Sequence, residues 1–277
     1  MYGSALLVVL VSVLPGATVL QPVANMYAEP NEQSEVVSQA IFGSNVQLLE
    51  QKDGWGHIQT ADKYTGWMPL TSLRADHAYA VGGRIAEVRC LFAHLYREPD
   101  VTRRAPLVTV PFETKLEVIA EQPDNPRWFQ VRLPDDRIAW AQRGDLAFDT
   151  KPLSIPDMIE LSKRFLGLPY TWGGTSSYGY DCSGFAQMLC RRRGVTLPRD
   201  SGLQVNCDAV VRVNREDMAP GDLLFFGSSE SKVSHTGVYL GGGKFINATT
   251  YQTPTVRIDE LKDPHWAELL VAVRRLR

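Results

Sequence analysis

The sequence predicts a multidomain chain: two small all-β barrels in tandem, followed by an α+β domain. Three observations carry this. First, a stretch of roughly sixty to seventy residues is written twice, too few copies for a solenoid. VANMYAEP (23–30) matches FAHLYREP (92–99), and each copy runs on to two tryptophans twelve apart, Trp55 and Trp67, then Trp128 and Trp140. Second, the pattern changes beyond residue 150, from short alternating runs to helical patterns and then apolar strands, an α+β order. Third, 277 residues suit two or three domains.

Composition narrows the function. Hydrophobic residues at 44% and charged residues at 22% are ordinary for a globular chain. A net charge of −2 carries no polyanion-binding signature, which excludes nucleic acid as a partner. Cys90, Cys182, Cys190 and Cys207 are too few for a disulfide scaffold, and no CxxC pair suggests zinc or a redox centre. No metal or cofactor is expected, and the chain is expected to act as a monomer without a stable protein partner.

Residues 1–16 are read as a signal or apolar N-terminus. Ala5 to Leu14 is apolar except for Ser12. That run is too short to span a bilayer and right for a signal-peptide core. No Lys or Arg precedes it and no A-x-A site follows. Export to the cell envelope, periplasm or medium is favoured. The alternative is a buried first strand or a mis-assigned start, and a cytoplasmic chain.

The first barrel is placed at 17–76 and the second at 77–150. VQLLE, WGHIQT, KLEVIA and WFQVRL alternate as strands do, broken by DG, PD and PDD turns. Read structurally, these are spacers with tryptophan cores. A linker, DTKPLSIPD (149–157), leads to the third domain at 151–277. A helical pattern starts near Pro156, passes through Met158, Ile159, Ser162, Phe165 and Leu166, and stops at Gly167. Residues 169–184, PYTWGGTSSYGYDCSG, form a loop dense in Gly, Ser and aromatics. It feeds a second helix, CSGFAQMLCRRRG, which stops at Gly194. MAPGDLLFF (218–226) is a turn and an apolar strand, and SHTGVYLGGGKFINAT (234–249) a hairpin. DPHW (263–266) reads as a turn, and LLVAVRRLR closes the chain as a strand.

Cys182 opens the second helix, where free N–H groups and the dipole favour a thiolate, the nucleophilic form. The alternative is a buried structural cysteine. A base within reach separates the two. Of five histidines, His57 reads as a solvated strand position, His77 lies between barrels, His94 takes the slot of Asn25 in the repeat, and His265 lies in the DPHW turn. His235 alone starts an apolar strand, and Asn247 lies twelve residues on, across the hairpin. Its amide oxygen is expected to accept the Nδ1–H of the imidazole, with Nε2 facing the thiol. Cys, His and Asn in that order are a papain-like set.

At this point the chain resembles known families. PYTWGG…DCSGF, LPR-x-S, PGDLLFF, SHTGVYLG and FINA, in that order across 155–277, resemble the NlpC/P60 family of cell-wall cysteine peptidases. The pattern of the repeat, small-x-Y/R-x-x-P…G-x-W-x-x-V…G-W-V, resembles the bacterial SH3-like (SH3b) domain over 19–74 and 86–148. The resemblance implies a fold of two SH3-like barrels followed by a papain-like α+β (NlpC/P60) catalytic domain. It implies Cys182 as nucleophile, His235 as base, and the Tyr170 hydroxyl with the Cys182 N–H as oxyanion donors. Asn247 stands where many relatives carry a second histidine.

Two SH3b domains ahead of this catalytic domain resemble the family's γ-D-glutamyl-L-diamino-acid endopeptidases. These cut peptidoglycan stem peptides between γ-D-Glu and meso-diaminopimelate or Lys, and prefer a free N-terminal L-Ala. By this resemblance Ser183, Arg199 and Ser201 line the L-Ala-γ-D-Glu subsite, with Arg199 suited to a substrate carboxylate. Asp181, next to Cys182, is placed to receive the free amine. Glu35 and Tyr64 of the first barrel close the pocket against longer chains; the alternative is ordinary barrel surface. Two rival functions remain: a peptidoglycan amidase of the CHAP type, and a non-catalytic wall-binding protein in which the SH3b modules do the work.

Overall fold

The structure, a computed structural model, describes residues 16–277, so the reading of residues 1–16 lies outside the described residues except at Gly16. The first seven strands are β1 (Gly16–Val19), β2 (Val23–Tyr27), β3 (Val36–Ile41), β4 (Asn45–Lys52), β5 (Trp55–Gln59), β6 (Thr65–Pro69) and β7 (Leu73–Ala75). They form one sheet in the order β3-β2-β6-β5-β4-β1-β7. Alternation sets its core: Val19, Met26, Leu48, Ile58 and Met68 point inward.

The tryptophans do not fill that core, contrary to expectation. Trp55 shares a strand face with His57 and Gln59, opposite Gly56 and Ile58, and stays partly exposed. Trp67 stacks on His57 with centroids 4.9 Å apart, and Trp55 meets Tyr27 edge-on at 5.5 Å.

The next seven strands are β8 (Ile85–Val88), β9 (Phe92–Tyr96), β10 (Val108–Pro111), β11 (Lys115–Glu121), β12 (Trp128–Arg132), β13 (Ile138–Gln142) and β14 (Leu146–Ala147). Their order, β10-β9-β13-β12-β11-β8-β14, repeats that of the first sheet strand for strand. The slot shared by Asn25 and His94 also repeats. Asn25 pairs with Gln39 and accepts its amide at 3.0 Å, while His94 pairs with Thr109 at 2.8 Å. Here Trp128 is buried and Trp140 is not.

The remaining elements are α1 (Ile155–Lys163), β15 (Thr175–Ser176), β16 (Gly179–Tyr180), α2 (Cys182–Arg192), α3 (Ser201–Gln204), β17 (Val210–Arg212), β18 (Leu223–Gly227), β19 (Val233–Gly241), β20 (Lys244–Thr249), β21 (Thr255–Glu260), α4 (Pro264–Leu269) and β22 (Leu270–Leu276). Helices come first and an antiparallel sheet follows, ordered β17-β22-β18-β19-β20-β21. Ser154 caps α1 by accepting from the Asp157 N–H, with Pro156 in the first turn. DPHW is not a turn but the start of α4: Asp263 accepts from the His265 N–H and Pro264 occupies the first turn.

Helix α2 is buried from Cys182 through Cys190. Phe185, Met188 and Leu189 share a core with Phe225, Val238 and Ile246 of the sheet. Phe112, in the turn between β10 and β11, enters this same core and meets Phe165 edge-on at 5.4 Å. Among the described residues no helix is long and apolar enough to cross a membrane. The Phe112 contact generates a prediction: Phe112→Ala should lower unfolding stability by about 3–5 kcal/mol, read from urea melts, as removal of a buried phenyl ring does.

Candidate active site

The loop of residues 169–184 delivers Cys182. Asp181 is the N-cap of α2 and its Oδ1 accepts the Gly184 N–H at 2.7 Å. Gly184 lies flat on the loop: a Cβ there would sit 2.2 Å from the Gly174 carbonyl oxygen. The nucleophile-bearing turn and its loop therefore pack backbone to backbone. The Cys182 side chain is 8% exposed, with the backbone N–H groups of Ser183 and Thr236 directed at the sulfur. Burial, followed by the Asp181 charge, pushes the thiol up to about 12, against the pull of those N–H groups. Enclosure therefore opposes the thiolate that the helix terminus and the N–H groups favour.

His235 and Asn247 sit on adjacent strands β19 and β20, 2.8 Å apart, but through Nε2 rather than the expected Nδ1. Nδ1 is the ring nitrogen left over, and the backbone N–H of the next residue, Thr236, acts on the Cys182 thiol. Asn247 is fully buried, and its Nδ2 donates to the Arg257 carbonyl at 3.3 Å and to Asp259 Oδ2 at 3.0 Å. The indole of Trp266 stacks on His235 with centroids 5.0 Å apart, and Phe226 lies at 5.7 Å. Trp266 was not singled out in the sequence, although Asp263–Pro264 is a helix-start signal that would have placed it. Enclosure pushes the imidazole down to about 4, opposed by the Asn247 hydrogen bond and the Asp259 charge. At neutral pH this holds the His235 ring in its neutral form, able to accept a proton. The Tyr170 hydroxyl, partly buried and in the field of Cys182, is raised well above its ordinary value and remains a donor.

Asp181 and Arg199 are not free for substrate, which corrects both expectations. Arg199 is 2% exposed and paired with Asp181 through both carboxylate oxygens. It also donates to Ser183 Oγ at 2.9 Å and to Ser38 Oγ of β3 at 3.1 Å. A buried guanidinium needs this set of acceptors to offset its lost hydration. Ser183 is a member of that network, and Ser201 is buried at the start of α3.

A different carboxylate stands where an amine could bind. Asp200 occupies the N-cap position of α3 but makes no cap hydrogen bond. Instead it faces the Tyr64 hydroxyl, which burial and then the Asp200 charge push up to about 12, with Glu35 adding to the same effect. Asp200 itself is raised, by desolvation first. Glu35 is exposed and accepts the Trp172 indole N–H at 3.0 Å. Tyr64, Glu35 and Asp200 thus gather at one place, two from the first sheet's segment and one from the peptidase segment. Asp200 was passed over in the sequence although it lies between Arg199 and Ser201.

The first sheet is held against the site by further bonds. Thr175 bonds to Gln39 through both its N–H and its hydroxyl at 3.2 Å, and Gln187 of α2 donates to Asp62 at 2.8 Å. Gly173 (φ +73°) lies so close to β3 that a Cβ would stand 2.8 Å from the Val36 carbonyl oxygen. Among the described residues no group of three or more His, Cys, Asp or Glu side chains is placed to hold a metal ion.

Known proteins resemble this chain along most of its length. The NlpC/P60 family model matches residues 167–275, and that of the bacterial dipeptidyl-peptidase SH3 domain matches residues 26–73. The chain is 31% identical over 259 residues to the gamma-D-glutamyl-L-lysine dipeptidyl-peptidase of Bacillus cereus, covering 87% of this chain and 75% of that one. To the protein of the same name from Bacillus subtilis it is 30% identical over 255 residues, covering 87% and 81%. The crystal structure of an NlpC/P60 family protein from Bacillus cereus superposes with a TM-score of 0.81 at 26% identity, over 94% of this chain and 99% of that one.

The ionisation of the pair sets a pH signature. His235 is depressed below its ordinary 6.5, so the unfolded chain binds the proton first and native stability is lost as pH falls from 6.5 towards 4. Cys182 is raised above its ordinary 9.0, so stability is also lost as pH rises past 9. The melting temperature of the native chain should therefore fall relative to His235→Gln on acidification below 6.5, and relative to Cys182→Ala above 9.

Proposed function

The chain belongs to the NlpC/P60 family of cysteine peptidases, and from that premise we propose that it hydrolyses the γ-D-glutamyl bond to the diamino acid in peptidoglycan stem peptides carrying a free N-terminal L-Ala. The observation that carries the reading is the gathering of Glu35 and Tyr64, from the first sheet's segment, with Asp200, from the segment that also holds Cys182. Two carboxylates and a phenol suit an ammonium group, and on this reading the first-sheet residues exclude a chain extended beyond the free amine. Two relatives of similar length are named for the γ-D-glutamyl-L-lysine bond.

In the proposed reaction His235 Nδ1 takes the Cys182 proton as the sulfur attacks the γ-carbonyl. Two neutral groups become an ion pair only at that moment, and the Asn247 oxygen holds the Nε2–H of the imidazolium. The developing oxyanion meets the Tyr170 hydroxyl and the Cys182 N–H, which has no intrahelical acceptor at the first position of α2. The diamino acid leaves with the proton from His235, and water then releases the dipeptide from the thioester.

The second seven-stranded sheet is read as a second SH3-like barrel on its strand order alone, with domains at 17–76, 77–150 and 151–277. The apolar run Ala5–Leu14 supports placement in the cell envelope, to be checked by fractionation.

Three peptide assays test the reading. Cys182→Ala should abolish cleavage of L-Ala-γ-D-Glu-L-Lys and its diaminopimelate counterpart; retained cleavage would overturn the catalytic assignment. Acetylating the L-Ala amine should lower kcat/KM by about 100-fold or more, the scale for leaving buried charges unpaired. Glu35→Gln should raise KM by about tenfold with little change in kcat. Equal rates on free and acetylated peptide would remove the amine pocket from the account.

A further inference from the structure

Three residues spaced twelve apart stand on three neighbouring strands, diagonal to one another rather than in register: His235 on β19, Asn247 on β20 and Asp259 on β21, with Arg257 the direct partner of Asn247. The reaction above uses the first two and gives Asp259 nothing to do. Yet the Asp259 side chain is 12% exposed and fully engaged. Oδ2 accepts Asn247 Nδ2–H at 3.0 Å and Arg257 Nε–H at 3.0 Å, and Oδ1 accepts Arg257 Nη2–H at 2.7 Å. Arg257 in turn lies over the Tyr251 ring at 5.7 Å, and Tyr251 stacks on His265 at 3.9 Å.

The chemistry of an amide gives this arrangement a purpose. The two ends of a carboxamide are nearly equal in shape but opposite in role: the oxygen only accepts and the NH₂ only donates. Nothing in the shape of Asn247 decides which end meets His235. An ionised carboxylate does decide it, because it accepts only. With the Asp259 carboxylate and the Arg257 carbonyl on one side, both acceptors only and the carboxylate the closer at 3.0 Å, the NH₂ is held there and the oxygen must face the imidazole. That oxygen requires a proton on Nε2, and a neutral ring protonated at Nε2 keeps its lone pair on Nδ1, the nitrogen left for the thiol. A flipped amide would set its oxygen against the Asp259 carboxylate in a site where Asn247 is fully buried.

We propose that Asp259 is a positioning residue of the peptidase: acting through Asn247, it fixes the imidazole tautomer whose Nδ1 can accept the Cys182 proton. The residue also supplies negative charge on the side where imidazolium forms. The titratable and charged groups that act on His235 are Asp259 on β21, His265 on α4 and Asp181 before α2, with Arg257 facing Asp259 and moderating its charge. Among these only Asp259 reaches the imidazole through a hydrogen-bonded chain.

The inference rests on the proposed function for its substrate, so its test includes a readout that needs none. Alkylation of Cys182 by iodoacetamide is followed against pH on the full chain. Modification is mapped by peptide mass, since Cys90, Cys190 and Cys207 are also free thiols. Asp259→Asn should slow Cys182 alkylation at pH 7 by about tenfold and shift the acid limb of the profile to lower pH, because imidazolium is less stabilised. On L-Ala-γ-D-Glu-L-Lys, kcat should fall in proportion, with KM within about twofold. The exchanged pair, Asn247→Asp with Asp259→Asn, again presents an acceptor to Nε2–H and should recover at least about half of the native alkylation rate. A native-like rate and pH profile in Asp259→Asn would overturn the proposal, as would a loss that the exchanged pair does not recover. If the native chain leaves the peptide uncut while alkylation responds as described, the substrate assignment fails and the positioning role stands.

Discussion

The buried pair of Arg199 and Asp181 is the interaction on which the rest of the site depends. Asp181 caps the helix that presents Cys182, so whatever holds Asp181 holds the nucleophile. Arg199 does that while also reaching Ser183 and, in the first sheet, Ser38. It precedes Asp200, whose carboxylate faces Tyr64. One guanidinium therefore links the turn that carries Cys182, the segment that carries Asp200 and, through Ser38, the first sheet. Breaking such a pair by removing one partner typically costs about 3–5 kcal/mol, because the charge left behind has no water to turn to. The surface ion pairs of this chain, such as Lys262 with Glu260, have solvent on every side and carry no comparable weight.

Around this brace Cys182 and His235 are enclosed. Trp266 and Phe226 cover the imidazole, and the Cys182 end of α2 is buried. On the proposed mechanism, burial disfavours charge separation at rest, and the backbone N–H groups at the sulfur and the line from His235 through Asn247 to Asp259 support it. Such a pair resists stray alkylation and oxidation better than a standing thiolate would, since the thiolate is the reactive form.

Much of this was legible in the sequence, and the limits have physical reasons. Cys182 could be placed because a Gly- and Ser-rich loop ending in an apolar helical pattern marks a helix start. His235 and Asn247 could be paired because a glycine turn between apolar runs marks a hairpin. The same step of twelve leads on to Asp259, but a second turn made of TYQTPT gave no comparable signal. Which imidazole nitrogen meets Asn247 depends on the ring's rotation, which no residue pattern encodes. Asp181 and Arg199 were mistaken for substrate groups because a charged pair bound to each other is indistinguishable in sequence from two waiting for a ligand. The inward strand faces were predictable by alternation, yet the tryptophans drew attention to the outward ones.

The close approach of Gly173 to Val36 has an evolutionary corollary. On the reading proposed above, what keeps long substrates out is contact between two segments that fold as separate layers, and that contact has no room for even one methyl group. On that reading, relaxed selectivity lies a single codon change away, at a position that carries no reacting group of its own. A lineage under pressure to digest tethered material rather than released fragments would not need to rebuild its catalytic machinery. It would need only to wedge the door.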